Sequence, residues 1–552
     1  MTIKRSYSGD IKSEIRQHLD TQTKQTALKL DTADSLPFDK YWEDIMRTDK
    51  DPDYTFNLVN GSSSLYKTPT EIAAESRRLL EGALRSDSDD LNKRLHSFQC
   101  ADFYQKLDKD GRAVFLKVLA RDFGPKDESV STLSESLRNA KLRKDKSLVI
   151  KLEQELRNAL DPRFLDFFMQ TYQHPGGMRF IIKMREDLVS ILPRNHQDPD
   201  LKHMNELLKA KMLDWFGISF LDLERITWSS PAEVLEKIIK YEAVHAIPSW
   251  ESLKERLLLG RACYAFFHKA MPLEPLAFVH VSFETQVSRS ITPIISSPPL
   301  LKVQDASVAV FYTISSPQKG LSGIDLGNLL IKRVVKEIQT RAPQVTTFTT
   351  LSPIPGFRNW LETQINSEVE CAAGSSGLLL PGEIDELRKI VGSGDSANGK
   401  IGVELLKNLI ETNEWITSHE SSSAMTIQKI LMRLCSRYVL LEKKRSFALD
   451  PVANFHIRNG ACVYQLNWMG DISEKGVTQS YGIMINYLYD LASLEGNRDR
   501  YMKDGVVTVM EGDVGQFGWA IGEVSGRVVG GGKKGAPVLK VLEAPFPVSS
   551  KL

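Results

Sequence analysis

Cysteine is scarce in this sequence of 552 residues. It has five cysteines, with no CxxC pair and no cysteine at zinc-ligand spacing to a histidine. A disulfide scaffold is therefore excluded, and a structural metal site is not expected. A sparse, odd number of cysteines is typical of proteins from a reducing compartment.

The sequence also lacks an excess of charge of either sign. Its 71 basic and 70 acidic residues leave a net charge of +1, so we expect no nucleic-acid partner and no attraction to an anionic membrane. No run of eighteen apolar residues occurs, and no membrane span is predicted. The remaining composition, 26% charged and 42% hydrophobic, is that of a globular protein with room for two or more domains.

The first part of the chain is predicted to be helical. Leu148, Leu152, Leu156 and Leu160 recur every four residues, as on one apolar face of a helix. Two prolines among polar residues at 191–201 indicate a boundary, which divides the chain into domains 1–205 and 206–552. Little in the first domain suggests chemistry, so we expect it to serve packing or assembly. After the boundary, Ser230 before Pro231 predicts a capped helix start, with Glu233 completing a capping box.

Strand patterns begin after residue 274. Segments 276–283 and 306–314 are short, β-branched and aromatic. The second runs into a loop with three glycines, then into an amphipathic helix and a further strand at 346–351. Such a βαβ unit places its two strands parallel, with their carboxyl ends at one edge of the sheet. The glycine loop and the residue after the last strand, Ser352, are therefore expected at a ligand-binding edge.

Several residues near that edge are candidates for a site. Gly320, Gly323 and Gly327 allow close approach of a ligand to a helix start, which favours a phosphate, although an ordinary turn would use the same residues. Asp325 among them suits the helix dipole better than a phosphate. Ser352 lies in a corner stiffened by the proline that follows it, although taken by itself this pattern is better explained by an ordinary Ser-Pro turn.

Further along, one histidine and two tyrosines are candidates on position alone. His456 precedes the Asn459-Gly460 turn and is interpreted as a loop residue entering a strand, where it could donate a proton near neutral pH. Tyr487 and Tyr489 follow, where aromatic residues more often belong to a core, although a buried tyrosine usually needs a partner for its hydroxyl.

Taken together, these motifs resemble the malonyl-CoA decarboxylase family. The resemblance covers most of residues 150–490 and rests on seven segments: His174 to Met178, Leu221 to Pro231, Phe311 to Ser315, Gln318 to Gly327, Leu351 to Phe357, Asn454 to Gly460 and Asn486 to Tyr489.

The resemblance implies an α+β two-domain fold. A helical N-terminal bundle would serve oligomerisation, with a homotetramer expected. A mixed α/β C-terminal domain would bind acyl-CoA and have the fold of the GNAT acetyltransferases.

The resemblance also implies an activity and its residues. The family converts malonyl-CoA to acetyl-CoA and carbon dioxide without a metal or organic cofactor, which regulates malonyl-CoA in fatty acid metabolism. Ser352 would be the catalytic serine that orients the substrate or acts as base, and His456 the proton donor. Thr313, Asp325 and Tyr489 fall on supporting positions. The CoA moiety would be held by Ser322, Gly323, Ile324, Asp325, Leu326, Gly327 and Asn328.

Two alternatives stay open at this point. An acyl-CoA-dependent N-acyltransferase would use the same fold, but the Gly320, Gly323 and Gly327 spacing differs from the motif usual in that superfamily. A non-catalytic assembly protein is supported by the helical half alone.

The terminal Ser550-Lys551-Leu552 is the pattern of a peroxisomal import signal. It predicts a peroxisomal location and an import receptor as partner, while the mitochondrion and the cytoplasm stay open as alternatives. Residues 502–549 match nothing in the family and carry no interpretation.

Overall fold

The computed structural model of the protein describes residues 68–85, 90–125, 127–193, 198–296, 303–370, 377–391, 402–411, 415, 421–511, 516–518 and 539–543. Contacts divide the chain into two compact units, Met1–Met204 and Asn205–Leu552. The division falls just beyond the polar stretch at 191–201.

The described part of the first unit is helical, as predicted. Its helices are α1 (Pro69–Ala83), α2 (Asp90–Lys106), α3 (Lys109–Asp122), α4 (Asp127–Leu142), α5 (Lys146–Leu160), α6 (Arg163–Tyr172) and α7 (Gly177–Ile191), and α8 (Pro199–Trp215) contains the division. Aromatic rings fill the centre of this unit. Tyr104 meets Phe115 at 5.2 Å and Phe180 at 5.7 Å between ring centroids, edge to face.

The leucine repeat lies on α5, which Asp145 caps by accepting from the Leu148 N–H at 3.1 Å. The predicted helix is therefore present. Its apolar face is buried chiefly at Leu152, which is 8% exposed, whereas Leu148 is 38% and Leu160 is 49% exposed. The leucine repeat therefore predicted the helix correctly, but only part of its apolar face is buried.

The second unit combines a mixed sheet with helices. Its strands are β1 (Leu221–Ile226), β2 (Arg261–His268), β3 (Ala277–Glu284), β4 (Val308–Ser315), β5 (Thr347–Thr350), β6 (Ser352–Pro353), β7 (Lys443–Lys444), β8 (Phe447–Ala448), β9 (Cys462–Asn467), β10 (Met484–Leu488), β11 (Val507–Glu511) and β12 (Leu539–Glu543). Its helices are α9 (Ala232–Tyr241), α10 (Trp250–Arg256), α11 (Thr292–Ser296), α12 (Leu326–Arg341), α13 (Phe357–Glu370), α14 (Pro381–Val391), α15 (Gly402–Glu411), α16 (Ser422–Leu440), α17 (Pro451–Arg458), α18 (Glu474–Ser480) and α19 (Leu494–Asp504).

Ten strands form one sheet in the order β1-β2-β3-β4-β5-β10-β9-β11-β12, with β6 also paired to β10. Strands β1 to β4 are antiparallel neighbours, and β4 and β5 are parallel. The helical unit and the mixed-sheet unit confirm the predicted α+β class.

The predicted βαβ unit consists of β4, α12 and β5. Val308 pairs with Thr347 and Phe311 with Thr350, so the two strands leave the sheet at the same edge. Leu330 and Val334 on the inner face of α12 are fully buried, as the helical pattern indicates. The glycine loop follows β4 and Ser352 follows β5, both at that edge.

Two details of the sequence analysis were wrong. Strand β1, which is rich in charge, and the fully buried β2 both precede residue 274 and were missed, because neither shows clear alternation. Ser230 does not cap α9. Its Oγ accepts from the Thr227 N–H at 3.0 Å and closes a turn, and Pro231 precedes the helix without a side-chain cap.

A buried ion pair links α14 to α16. Arg433 donates to both oxygens of Glu383, at 2.5 and 2.6 Å, and the two side chains are 10% and 6% exposed. One turn along the same helices, Lys429 and Glu386 form a pair at 3.0 Å that is 67% and 38% exposed.

We expect Glu383→Ala to lower the free energy of unfolding by about 3 to 5 kcal/mol, because the buried Arg433 guanidinium would lose both of its hydrogen bonds to the Glu383 carboxylate. The control, Glu386→Ala, removes an exposed pair and should cost under about 1 kcal/mol. Urea unfolding of both variants measures the difference, and equal losses would contradict it.

Candidate active site

Ser352 and His456, which lie 104 residues apart in the chain, meet in the folded protein. The Ser352 Oγ lies 3.1 Å from the His456 Nε2, within hydrogen-bond distance. Both residues are buried, at 6% and 3% exposure. A hydroxyl and an imidazole held together away from water are suited to proton transfer.

The sheet presents Ser352. The residue continues β5 into β6, where it pairs with Ile485 of β10. The chain then turns away at Gly356, where a side chain cannot be accommodated, because a Cβ there would overlap the Tyr438 hydroxyl. The strand end and this close contact together hold the corner that carries Ser352.

His456 lies in helix α17 and not in a loop, so that interpretation was wrong. The helix begins at Pro451, and Asp450 caps it by accepting from the Val452 and Ala453 N–H groups at 3.0 and 2.8 Å. An aspartate cap followed by proline at the first helical position is a helix start that the sequence carried but the analysis overlooked.

Asp450 also connects the two halves of the site. Its carboxylate accepts from the Tyr438 hydroxyl at 3.4 Å and from the backbone of Gly356, at the corner beyond Ser352. Burial raises the pKa of the Asp450 carboxyl to about 6, although the hydrogen bonds that it accepts oppose the shift.

The imidazole of His456 is enclosed by two tyrosines. The Tyr489 hydroxyl lies 2.9 Å from its Nδ1, and the Tyr487 ring stacks on it with centroids 4.6 Å apart. Burial lowers the pKa of His456 to about 3, so the resting imidazole is neutral at pH 7. A proton donor of ordinary pKa, as the sequence analysis pictured it, is therefore not present before substrate binds.

The glycine loop lies beside this histidine. Gly327, in the first turn of α12, packs on the Phe455 ring, and a Cβ there would be 2.9 Å from the ring. Gly323 has a φ of 82°, which favours glycine. Upstream, the Gln318 amide fixes the loop by donating to Glu274 at 2.7 Å.

The seven residues predicted to hold CoA differ in exposure. Ser322, Gly323 and Asp325 are exposed and Ile324 is partly buried, whereas the other three, Leu326, Gly327 and Asn328, are buried in the first turn of α12. The Asp325 side chain does not cap the helix, and it accepts from the Asn328 amide at 3.3 Å. The exposed residues therefore form the part of the loop that is open to a ligand.

A lysine that the sequence analysis missed lies against the loop. A Cβ on Gly323 would be 3.1 Å from the Lys209 Cε and 3.4 Å from its Nζ. Lys209 forms no ion pair with any residue in the part of the chain that the structure describes, so its charge is available next to the start of α12. A cation beside free helix N–H groups favours a phosphate.

The Thr313 hydroxyl is hydrogen-bonded to a residue other than the serine and the histidine. Its hydroxyl donates to Glu242, with distances of 2.8 and 2.9 Å to the two carboxylate oxygens. Glu242 is itself buried, which raises the pKa of its carboxyl, and nothing in the sequence had pointed to it. This hydrogen bond lies outside the chain of contacts through Ser352 and His456.

Of the five residues predicted as catalytic, three are therefore joined by hydrogen bonds: Ser352, His456 and Tyr489. Asp325 acts at longer range. Burial in the first place, and the Asp325 charge in addition, raise the pKa of the Tyr489 hydroxyl well above its ordinary value. Thr313 belongs to a separate buried contact with Glu242.

Comparison with known proteins identifies the family. The malonyl-CoA decarboxylase C-terminal domain matches residues 219–515, and the N-terminal domain of the same family matches residues 123–216. The expectation that nothing after residue 502 matches the family was therefore wrong for residues 502–515. The malonyl-CoA decarboxylase of Anser anser anser is 40% identical over 406 residues, which are 72% of this chain and 79% of that protein. The Mus musculus enzyme is 38% identical over 413 residues, 73% of this chain and 82% of that protein. The chain belongs to the malonyl-CoA decarboxylase family.

Solved structures agree with this assignment. The crystal structure of malonyl-CoA decarboxylase from Rhodopseudomonas palustris superposes with a TM-score of 0.65 at 33% identity, covering 80% of this chain and 98% of that one. The Agrobacterium vitis enzyme gives 0.65 at 31% identity, with 79% and 96% covered. The protein is thus a carboxy-lyase, and its family membership supports the decarboxylation of malonyl-CoA.

Neither a metal-binding cluster nor a membrane-spanning helix is found in the described part of this decarboxylase. Among the described residues, no group of three or more histidine, cysteine, aspartate or glutamate side chains is placed to hold a metal ion. No helix in the described ranges is long and apolar enough to cross a membrane. Ser550, Lys551 and Leu552 lie outside the described residues.

The raised pKa of Asp450 predicts a pH dependence of stability. Its folded pKa, about 6, exceeds the ordinary value of 3.8, so the carboxyl binds its proton more tightly in the folded protein than in the unfolded chain. This contribution to the free energy of unfolding is complete below pH 4 and is lost as the pH rises through 6. This loss amounts to at most about 3 kcal/mol. An asparagine side chain in place of this aspartate would stay neutral and can still cap α17.

We therefore expect Asp450→Asn to gain stability relative to the wild type between pH 4 and pH 7. Melting temperatures of both proteins across this range test it. A constant difference between the two curves would contradict a raised pKa.

Proposed function

We propose that the protein decarboxylates malonyl-CoA to acetyl-CoA and carbon dioxide at the pair formed by Ser352 and His456. The observation that carries the proposal is the 3.1 Å contact between the buried Ser352 Oγ and the His456 Nε2 at the sheet edge where the glycine loop begins. The glycine loop follows β4, the serine follows β5 and the histidine lies in α17.

The reaction makes two demands on the site, which are formation of an enolate and delivery of a proton to it. Loss of carbon dioxide moves the electrons of the broken C–C bond into the thioester, which becomes an enolate. The barrier falls when a donor stabilises the enolate oxygen and when the carboxylate is held perpendicular to the carbonyl plane. The enolate carbon then takes one proton to give acetyl-CoA.

Ser352 and His456 would meet these demands together. Ser352 orients the carboxylate or the thioester, or acts as a base towards the substrate. His456 supplies the proton. The resting imidazole is neutral, but the negative charge of bound malonyl would favour its protonated form, because an anion nearby raises the pKa of a histidine. Tyr489 at the Nδ1 holds the ring in place.

The CoA moiety would lie along residues 322–328, with the Lys209 ammonium on a phosphate. Open loop residues next to a helix start offer backbone N–H groups, and the lysine adds the charge that the loop itself lacks. Asp325 would then act on the tyrosine and histidine side of the loop, since a carboxylate repels a phosphate.

The direct test measures the products. Wild-type protein with malonyl-CoA and a chelator should give one acetyl-CoA per malonyl-CoA, read by mass. Ser352→Ala should lower kcat by about 10²- to 10³-fold and His456→Asn by about 10²- to 10⁴-fold. Ser436→Ala is the control, since this serine is 1% exposed and lies in α16.

Unchanged malonyl-CoA with folded wild-type protein would refute the proposal. The N-acyltransferase alternative would then be tested with amine acceptors. Full turnover by Ser352→Ala or His456→Asn would leave the activity standing and refute these residues as its site.

Lys209 has its own test. Lys209→Ala should raise the KM for malonyl-CoA about tenfold with little change in kcat, because a charged contact to a phosphate would be lost. Malonyl-N-acetylcysteamine thioester lacks the phosphates, so the variant should process it as the wild type does. Lys211→Ala, two residues along the helix and so on another face, is the control. An equal loss on both substrates would contradict a phosphate contact.

We also propose a compartment and an assembly for the protein. Ser550-Lys551-Leu552 would be bound by a peroxisomal import receptor, whereas the relatives compared are named as mitochondrial proteins. The helical domain, residues 1–205, would assemble the homo-oligomer, a tetramer, and the catalytic domain would be residues 206–552. The activity would regulate malonyl-CoA in fatty acid metabolism.

A further inference from the structure

We infer that Thr350 is a positioning residue that sets the direction of the hydrogen bonds through Ser352 and His456. The inference rests on the proposed function, since it assigns a role in the same site. Thr350 is the last residue of β5, two positions before Ser352, and side chains two apart on an extended chain lie on the same face. It is 1% exposed.

The Thr350 hydroxyl oxygen is an acceptor for two neighbours. The Ser352 Oγ donates to the Thr350 Oγ1 at 2.9 Å, and the Tyr487 N–H donates to the same oxygen at 3.2 Å. A serine hydroxyl has a single proton. With that proton on Thr350, the Ser352 oxygen can only accept on the side that faces the histidine.

This arrangement determines the tautomer of His456. The Nε2, which lies 3.1 Å from the Ser352 Oγ, has to carry the proton of the neutral ring. The Nδ1 then accepts from the Tyr489 hydroxyl at 2.9 Å. The bonds run in one direction, from Tyr489 through His456 and Ser352 to Thr350, so the His456 N–H is directed at the Ser352 oxygen before substrate binds.

Thr350 is itself held firmly. The Asn486 amide donates to its carbonyl oxygen at 2.7 Å, and its backbone pairs with Phe311 in the parallel ladder. The branched side chain restricts rotation about χ1. The acceptor is therefore fixed before substrate arrives, and the serine proton is not shared with the histidine.

Three variants test the inference. Thr350→Val keeps the shape and removes the acceptor, so kcat should fall about 10- to 100-fold while KM changes less than about twofold. Thr350→Ser restores the hydroxyl and should return kcat to near the wild-type value. The control is Thr349→Val, since Thr349 is 0% exposed and its Oγ1 bonds the Tyr487 carbonyl oxygen at 3.1 Å, outside the chain of bonds through the histidine.

Thr349→Val should lose as much thermal stability as Thr350→Val and keep its kcat, because each variant loses the two buried hydrogen bonds made by one threonine hydroxyl. If both lose the same activity, the effect is one of packing and the inference fails. Wild-type kcat in Thr350→Val also overturns it. If Thr350→Val does not fold, Thr350→Ala removes the same acceptor.

The tautomer can be read in the wild type without any variant. ¹⁵N NMR of histidine-labelled protein, with His456 assigned by difference from His456→Asn, should give a protonated Nε2 and an unprotonated Nδ1. A protonated Nδ1 overturns the inference. Loss of activity in Ser352→Ala tests the proposed function separately. An inactive Ser352→Ala with an unaffected Thr350→Val would refute the role of Thr350 alone.

Discussion

The parallel pairing of β4 and β5 is the constraint on which the rest of the site depends. Because Val308 pairs with Thr347, both strands end at one edge of the sheet. Without this register the glycine loop and Ser352 would leave the sheet at unrelated places. The helix between the strands, α12, buries its apolar face and keeps the pairing in place, so the core of the second unit and the geometry of its site have the same origin.

A second constraint is that the polar groups at this edge lie out of water and need partners. Asp450 satisfies the start of α17 and the hydroxyl of Tyr438, and Thr350 accepts from Ser352. The contact between Asp450 and Tyr438 joins α17 to α16, and the Tyr487 N–H that Thr350 also accepts joins β5 to β10. A buried hydrogen bond contributes only about 1 kcal/mol, but leaving its donor or acceptor unpaired costs more, so the network favours one arrangement over its neighbours.

The sequence predicted the parts of this site that depend on local pattern. Strands β4 and β5, helix α12 and the shared edge followed from periodicity and glycine spacing. Ser352, His456 and Tyr489 followed from the family resemblance, and the structure brings these three together. The roles assigned to them remain predictions.

What the sequence did not reveal depends on contacts between distant segments. Glu242 accepts a hydrogen bond from Thr313, which lies 71 positions away in the chain, and no local sequence pattern predicts such a pair. Lys209 and Thr350 matter through their neighbours in space. The helical setting of His456 is different, because the Asp450-Pro451 start was visible in the sequence. The turn at Asn459-Gly460 was taken as evidence for a loop around His456, whereas it marks the end of the helix that contains this residue.

Gly327 has a mechanical consequence. Since it has no side chain, the first turn of α12 rests directly on the Phe455 ring, one residue before His456. Rigid bodies in van der Waals contact transmit displacement, as interiors are close-packed and barely compressible. A displacement of the glycine loop is therefore transmitted to the helix that carries the histidine. The absence of a side chain at Gly327 lets the backbone and the ring touch directly, so little of the displacement is lost between them.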